Sequence, residues 1–399
     1  MKNCTIIGLS DSRRQWFSPD ITELISRGRV FSGGKRHHDI MGDYLPDECV
    51  WIDITVPLSD VFRQYEAYDD IVIFASGDPL FYGFANTVKR ECPECSIKVY
   101  PYFNSLQMLA HRIQLPYHDM HVVSLTGRPW DRFDEALING YPLIGILTDR
   151  KKTPAEIMNY MLSYGYDNYS VTVGENLGNE DSERVSSFPS PKENATEEFA
   201  TPNCIILQRT NERPRLFGIP DASFHLLNGR AKMITKMPIR LLSLAMLKLH
   251  DKRSFWDVGF CTGSVSIEAK LQFPHLQITS FEVREEGREL ISNNCKRFGT
   301  PGILPVIGDF NTLDLPSILS PERLHPDAVF IGGHGGKLKE MIAKIKDYLA
   351  PGGVIVFNSV SEESRQMFIE GIEAVGMSLK ESHTIALDDH NPITILSSY

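Results

Sequence analysis

Long apolar runs are missing from this chain: none of its 399 residues falls in a stretch approaching the ~18 apolar residues that a membrane-spanning helix needs. The opening residues, MKNCTIIGLSDSRRQ, read as a short strand followed by polar side chains, not as a charged leader with an apolar core. A cytoplasmic location is therefore expected, with no membrane partner. Positive charge is also short. Lys and Arg number 41 against 51 Asp and Glu, and the formal net charge of −10 leaves no broad basic face to neutralise nucleic-acid phosphates. A small-molecule substrate is the expectation.

Paired cysteine signals are equally sparse. The seven cysteines (4, 49, 92, 95, 204, 261 and 295) are odd in number and scattered, which suits a reducing compartment. Cys92-Pro-Glu-Cys95 is the one close pair, with no second pair and no matching histidines, so it reads as loop packing and no metal site is expected. No internal repeat is visible either.

What is present is an alternation of apolar β-type runs with helical patterns, in a chain long enough for two or three cores. That alternation predicts parallel α/β sheets. In the first half the strands fall at 4–9, 72–76, 97–101, 121–125, 143–147, 169–175 and 203–209, with a break near Leu115–Asp119 that separates two lobes of about 1–116 and 117–209. The polar stretch 182–203 reads as a surface loop. RTNERPRLFGIPDASF, starting at Arg209, has no periodicity and marks the linker, giving domains 1–209 and 210–399. Beyond it, strands at 255–258, 278–282, 303–307, 327–331, 353–357, 380–385 and 393–397 suit a seven-stranded Rossmann-like sheet.

Residues 255–263, FWDVGFCTG, carry the clearest chemistry. An apolar strand ends in Asp257, a turn has glycines at 259 and 263, a helical pattern begins at Ser264, and Glu282 closes the next apolar run. This is the spacing of a unit that binds the hydroxyls of a ribose. A dinucleotide needs a glycine in mid-turn so that backbone can approach its pyrophosphate, but here Phe260, Cys261 and Thr262 lie between the glycines. S-adenosylmethionine, which has no phosphate, is the preferred cofactor over NAD; a glycine-rich turn that binds nothing is the bland alternative.

In the first half, ASGDPLFYG (75–83) directly follows a strand: Gly77 permits an unusual backbone angle, Pro79 can start a helix and Asp78 can accept from its first amides. Alone, this is as well read as a helix cap. GGKRHHD (33–39), PYFNSLQ (101–107), LTDRKKTPAEI (147–157) and VGENLGNEDSERV (173–185) stand around it in the order seen in the tetrapyrrole methylase family, which the chain resembles over roughly residues 3–209. The resemblance implies two α/β lobes with S-adenosylmethionine in the cleft between them, Gly77 and Asp78 lying at that cleft. Two loops depart from the family pattern, Gly8-Leu-Ser-Asp-Ser12 and Pro101-Tyr-Phe-Asn-Ser105.

The second half resembles a companion family. LFGIPDASF (216–224), TKMPIR (235–240), WDVGFCTGSVSIEA (256–269), FEV (281–283), NN (293–294), DAVFIGGHGG (327–336) and PGGVIVFNSV (351–360) are similar to the cobalamin-pathway class I methyltransferases that also decarboxylate. The ordered pair resembles the fused corrin C5,15-methyltransferases. It implies methylation of a precorrin-6-type ring, with or without cobalt, at C5 by the first domain and at C15 by the second, with loss of the C12 acetate carboxylate. An alternative keeps activity in the second domain only, the first being a tetrapyrrole-binding scaffold.

For the site, the resemblance implies cofactor contacts from Thr235, Gly259, Phe260, Cys261, Thr262, Gly263, Glu282 and Asp309, and the strand–turn unit itself adds Asp257. Glu282 would hold the ribose diol with two charge-assisted bonds, and Asp309 would accept from the adenine amino group. Among the glycines 332, 333, 335 and 336, a flat macrocycle could lie against Gly333, and His334 is the candidate proton donor, the alternative being a hydrogen-bonded loop histidine. Lys337, Lys35 and Arg36 are expected to meet substrate carboxylates. A homo-oligomer is expected by analogy alone.

Overall fold

The computed structural model describes residues 2–193, 198–229, 233–387 and 392–399. By its internal contacts the chain forms two compact units, one of residues 1–128, 141–159 and 167–211, the other of residues 129–140, 160–166 and 212–399. Two short segments of the first half thus group with the second unit. Among the described residues no helix is long and apolar enough to cross a membrane.

The first unit holds two five-stranded sheets. One comprises β1 (Asn3–Leu9), β2 (Val30–Gly33), β3 (Val50–Asp53), β4 (Asp70–Ser76) and β5 (Ser96–Tyr100), all parallel, in the order β3-β2-β4-β1-β5. β1 and β4 lie at its centre with apolar side chains buried on both faces, as parallel strands require. β2 and β3 went unrecognised in the sequence because four residues are too few to show a period.

The other sheet comprises β6 (His121–Ser124), β7 (Leu143–Leu147), β8 (Tyr169–Glu175), β9 (Arg184–Phe188) and β10 (Asn203–Arg209), in the order β6-β7-β10-β8-β9. Here the expectation of parallel pairing fails. Only β6 and β7 run parallel; every other pair is antiparallel. The described residues between β8 and β9 hold no α-helix, and a strand that returns directly pairs antiparallel; β10 runs the same way as β9 but on the other side of β8, and so is antiparallel to β8 as well. β9 also corrects the reading of 182–203 as loop: it is a polar, largely exposed edge strand, so it carries no apolar run to detect. The close cysteines 92 and 95, read as loop packing, are joined as a disulfide.

The second unit is built on β11 (Ser254–Val258), β12 (Gln277–Glu282), β13 (Ile303–Ile307), β14 (Ala328–Ile331), β15 (Val354–Ser359), β16 (Leu379–Ile385) and β17 (Ile393–Ser398). Their order is β13-β12-β11-β14-β15-β17-β16, parallel except for the terminal hairpin. Alternate residues of β11 feed opposite cores: Trp256 and Val258 pack with Phe281, Ile331 and Phe357, whereas Phe255 packs with Ile278, Phe330 and Val356. The chain moves outward from β11 to β13 and then returns to the other side of β11 with β14. That reversal opens a crevice at the carboxyl ends of β11 and β14, where sheets of this kind bind ligands.

Candidate active sites

A cavity of about 760 Å³ lies at this crevice in the second unit. Its first wall is the turn after β11. Gly259 has φ +79°, and a Cβ there would come 2.7 Å from Gly333 N, so the β11 and β14 loops touch backbone to backbone. The Gly259 and Phe260 amides both donate to Phe281 O, at 2.8 and 3.1 Å, which ties the turn to the end of β12. Gly263 is equally constrained: φ is +74° and a Cβ would lie 2.6 Å from Ile291. Between them Cys261 also adopts a left-handed conformation, φ +49°, with a β-carbon to accommodate.

That conformation costs an L-residue about 1–2 kcal/mol, partly offset by the entropy a glycine would lose on folding. Cys261→Gly is expected to raise stability by up to about 1 kcal/mol, read as a higher Tm. A lower Tm would show that thiol packing outweighs the backbone term. Burial first, and then the nearby Glu282 charge, push the Cys261 thiol up to about 11.

Glu282 ends β12 and is 5% exposed. Its Oε2 accepts from Cys261 N at 3.0 Å, and Oε1 accepts from Val283 N at 3.0 Å and Arg284 N at 3.2 Å. The Arg284 guanidinium lies 3.5 Å from the same Oε1. Gly287, in the first turn of the following helix, was not singled out from the sequence, yet a Cβ there would fall 2.8 Å from Glu282 Cγ. Its bare Cα gives the carboxylate its room.

The far wall carries Asp309 and Lys337, from the loops after β13 and β14. Lys337 Nζ donates to Asp309 Oδ2 at 2.8 Å, and Asn311 N donates to Oδ1 at 3.0 Å. The Lys337 hydrogen bond holds the Asp309 carboxyl below its ordinary value and the Lys337 ammonium above its own. Two residues assigned separate ligands thus hold each other. His334 lines the cavity between its glycines. Its Nδ1 accepts from Gly336 N at 3.2 Å, and its ring meets Phe357 edge-on at 5.8 Å. Desolvation lowers its pKa. Neutral imidazole with Nδ1 accepting carries its proton on Nε2 and offers that N–H to a ligand.

Thr235 lines the cavity beside the ends of β15 and β17. What holds it was missed in the sequence. Its carbonyl accepts from Arg240 Nη1 at 2.9 Å, and both Arg240 and Glu268 have fully buried side chains, with Arg240 Nε 3.3 Å from Glu268 Oε2. Glu268 also takes the Gly218 and Ile219 amides at 2.7 and 3.1 Å. The signal lay in three separate motifs, IPDAS, TKMPIR and SIEA, whose polar residues meet only after folding.

Asp257, Thr262 and Gly263, read from the sequence as cofactor contacts, are not on the cavity wall. Asp257 follows the phase of Phe255, beneath the helix Ser264–Gln272, where Ser266 Oγ donates to its Oδ2 at 2.6 Å. Among the described residues its other oxygen has no hydrogen-bond partner, and burial raises its pKa to about 7. The folded state therefore retains a proton that the unfolded chain releases near the ordinary carboxyl value of 3.8. Stability present below pH ~4 is lost as pH rises to about 7, up to about 4 kcal/mol in all. Asp257→Asn is expected to shrink this slope in urea unfolding, and an unchanged slope would refute the assignment. Asp134, raised likewise to about 7 by burial, leaves a residual slope.

The first unit has its own cavity of about 500 Å³, lined by Asp11, Arg36, His37, Ser76, Gly77 and Asp78 among others. Gly77 has φ +61°, and a Cβ on Gly8 would lie 2.0 Å from Gly77 O, so the end of β1 packs directly against the turn after β4. Asp78 Oδ1 accepts from Leu80 N at 2.9 Å. The helix expected from Pro79 begins instead at Phe84 after Gly83, so Asp78 caps a turn and not a helix. Arg36 is on the wall, its Nε 3.2 Å from Asp11 Oδ1. Lys35 is not.

Residues 2–189 match the Tetrapyrrole (Corrin/Porphyrin) Methylases family and residues 228–397 the precorrin methyltransferase domain. Across 380 residues the chain is 28% identical to a precorrin-6Y C(5,15)-methyltransferase [decarboxylating] of Sinorhizobium sp, covering 94% of this chain and 89% of the relative. Over 169 residues it is 34% identical to the cobalt-precorrin-6B C(15)-methyltransferase (decarboxylating) of Salmonella typhimurium, covering 42% of this chain and 83% of that protein. A crystal structure of precorrin-6Y C5,15-methyltransferase from Geobacter metallireducens aligns at 31% identity and TM-score 0.42, over 47% of this chain and 99% of that one. Together the two domain matches define a tetrapyrrole methylase unit joined to a precorrin methyltransferase unit. The chain belongs to the precorrin-6Y C(5,15)-methyltransferase (decarboxylating) family.

Proposed function

We propose that each unit methylates a ring carbon of a precorrin-type tetrapyrrole with S-adenosylmethionine as donor, the first unit at C5 and the second at C15, the latter with loss of the C12 acetate carboxylate as CO₂. The observation that carries this reading is the placement of Glu282 beside the Gly259 turn on the wall of the larger cavity. The cofactor supplies an electrophilic methyl group whose sulfur keeps the bonding electron pair. A carboxylate offers about four lone-pair sites, and Oε1 already receives two amides with Arg284 close by. Oε2 receives only the Cys261 amide, so a ribose hydroxyl would be held at Oε2 and not by both oxygens. Thr235, Gly259, Phe260 and Cys261 would pack around the nucleoside, and Asp309 would keep one lone pair for an adenine amino group while Lys337 holds its carboxylate in place.

Carbon methylation needs no protein nucleophile; it needs the reactants aligned and water kept away. Gly333 and Lys337 offer the ring a flat backbone and a cation. His334, neutral and with its proton on Nε2, would donate a hydrogen bond to the ring or to the departing carboxylate, and a proton transferred from it would have to be replaced from solvent. In the first unit, Gly77 and Asp78 would line the donor site, with Arg36 toward the substrate. Mass spectrometry of product from metal-free and cobalt-bearing substrates tests the whole reading. Two added methyl groups and one lost carboxyl are expected on one of them, and unchanged mass on both would refute it.

A further inference from the structure

We infer that Ser76, at the carboxyl end of β4, is an obligatory hydrogen-bond donor to a carboxylate of the ligand in the first unit's cavity. The argument is one of hydrogen-bond stoichiometry. Ser76 Oγ receives Arg36 Nη2 at 2.8 Å and lies 2.9 Å from His37 Nε2. A guanidinium can only donate. The histidine's role is settled at its other nitrogen: Gly34 N donates to His37 Nδ1 at 3.2 Å, so Nδ1 carries no proton. Burial holds His37 down at about 4, which leaves the ring neutral with its single proton on Nε2. His37 therefore donates to Ser76 as well.

A hydroxyl oxygen has two lone pairs, and here both are taken. Its own proton must point in the remaining direction, and no acceptor among the described residues takes it. Ser76 is nonetheless exposed and lines the cavity with Asp11, Gly77 and Asp78. Solvent can take that proton while the cavity is open to it, so a ligand that displaces the solvent there has to supply the acceptor. Two donors on one oxygen, one of them a cation, polarise its O–H and favour the most basic acceptor within reach. A carboxylate fits that description and also meets the field of Arg36, whose side chain is 43% exposed though paired with Asp11.

This inference rests on the proposed tetrapyrrole substrate, and the experiment separates the two. Binding of a precorrin-type ring acid and of its methyl ester is measured by absorbance titration on the full-length protein, together with Ser76→Ala and Ser76→Thr. Ser76→Ala is expected to weaken binding of the acid to the first site about 10- to 100-fold, the worth of one bond to a charged acceptor. The ester should discriminate less between the two proteins. Ser76→Thr, which keeps the hydroxyl, should restore acid binding, and uptake of S-adenosylmethionine should not change in either variant. Equal uptake of the acid by parent and Ser76→Ala overturns the inference alone; no uptake by the parent overturns the proposed function with it. A parallel fall in donor uptake would mark Ser76 as a cofactor contact and overturn the inference too.

Discussion

Glu282→Ala is expected to reduce the number of S-adenosylmethionine molecules taken up by the full-length protein from two to one. The carboxylate is nearly sealed from solvent and gathers the amides of Cys261, Val283 and Arg284. Removing it forfeits a charge-assisted bond to the ribose, about 1.5–3 kcal/mol, or roughly a 10- to 150-fold loss of affinity. It also leaves three amides without their acceptor, so the turn that shapes the cavity relaxes and the loss is expected at the upper end. Calorimetry with the donor and its demethylated product reads both stoichiometry and affinity. Two undiminished sites would refute the cofactor assignment in the second unit. Glu282→Gln is expected to fail nearly as badly, because its amide nitrogen would face either the Cys261 amide or the Val283 and Arg284 amides, donor against donor.

The second large effect is on stability. Arg240 and Glu268 are both inaccessible to solvent, and the guanidinium reaches Glu268, Asp221, the Thr235 carbonyl and the Ile219 carbonyl. Arg240→Met removes one partner and strands a buried carboxylate, which typically costs 3–5 kcal/mol. Urea unfolding should show a midpoint lowered accordingly. Because the Thr235 carbonyl loses its anchor too, donor affinity in the second unit should fall even at temperatures where the variant remains folded. Arg240→Met combined with Glu268→Gln removes the stranded charge and should recover part of the stability without recovering Thr235. If the single variant were as stable as the parent, the pair would not be the strut that sets this wall.

Much of the second unit was legible because its signals are local. Strand, turn, helix and strand follow one another from Ser254 to Glu282, and parallel neighbours β11 and β12 necessarily bring Gly259 and Glu282 to the same sheet edge. The apolar runs of β11, β12, β14 and β15, buried on both faces, stand out against the glycine-bearing turns between them. Where such contrast is weak, reading failed: β2 and β3 are four residues long, and β9 is polar along an exposed edge. The parallel expectation failed for the second sheet because β8 returns directly into β9 without a helical crossover, and β10, running the same way as β9, pairs antiparallel with both β7 and β8.

By itself, then, the amino-acid sequence determined the alternation of strands and helices, the seven-stranded sheet, and the turn and carboxylate proposed to hold the cofactor. Only the tertiary structure decided that Asp257 faces away from the cavity while Glu282 faces into it, that Lys337 holds Asp309, that Arg240 supports Thr235, and that Ser76 has its lone pairs filled by Arg36 and His37. Periodicity and turn chemistry report what neighbouring residues do to one another along the backbone. Hydrogen bonds and ion pairs between strand ends depend on distances set by the assembled sheet, and those exist only once the layers have packed.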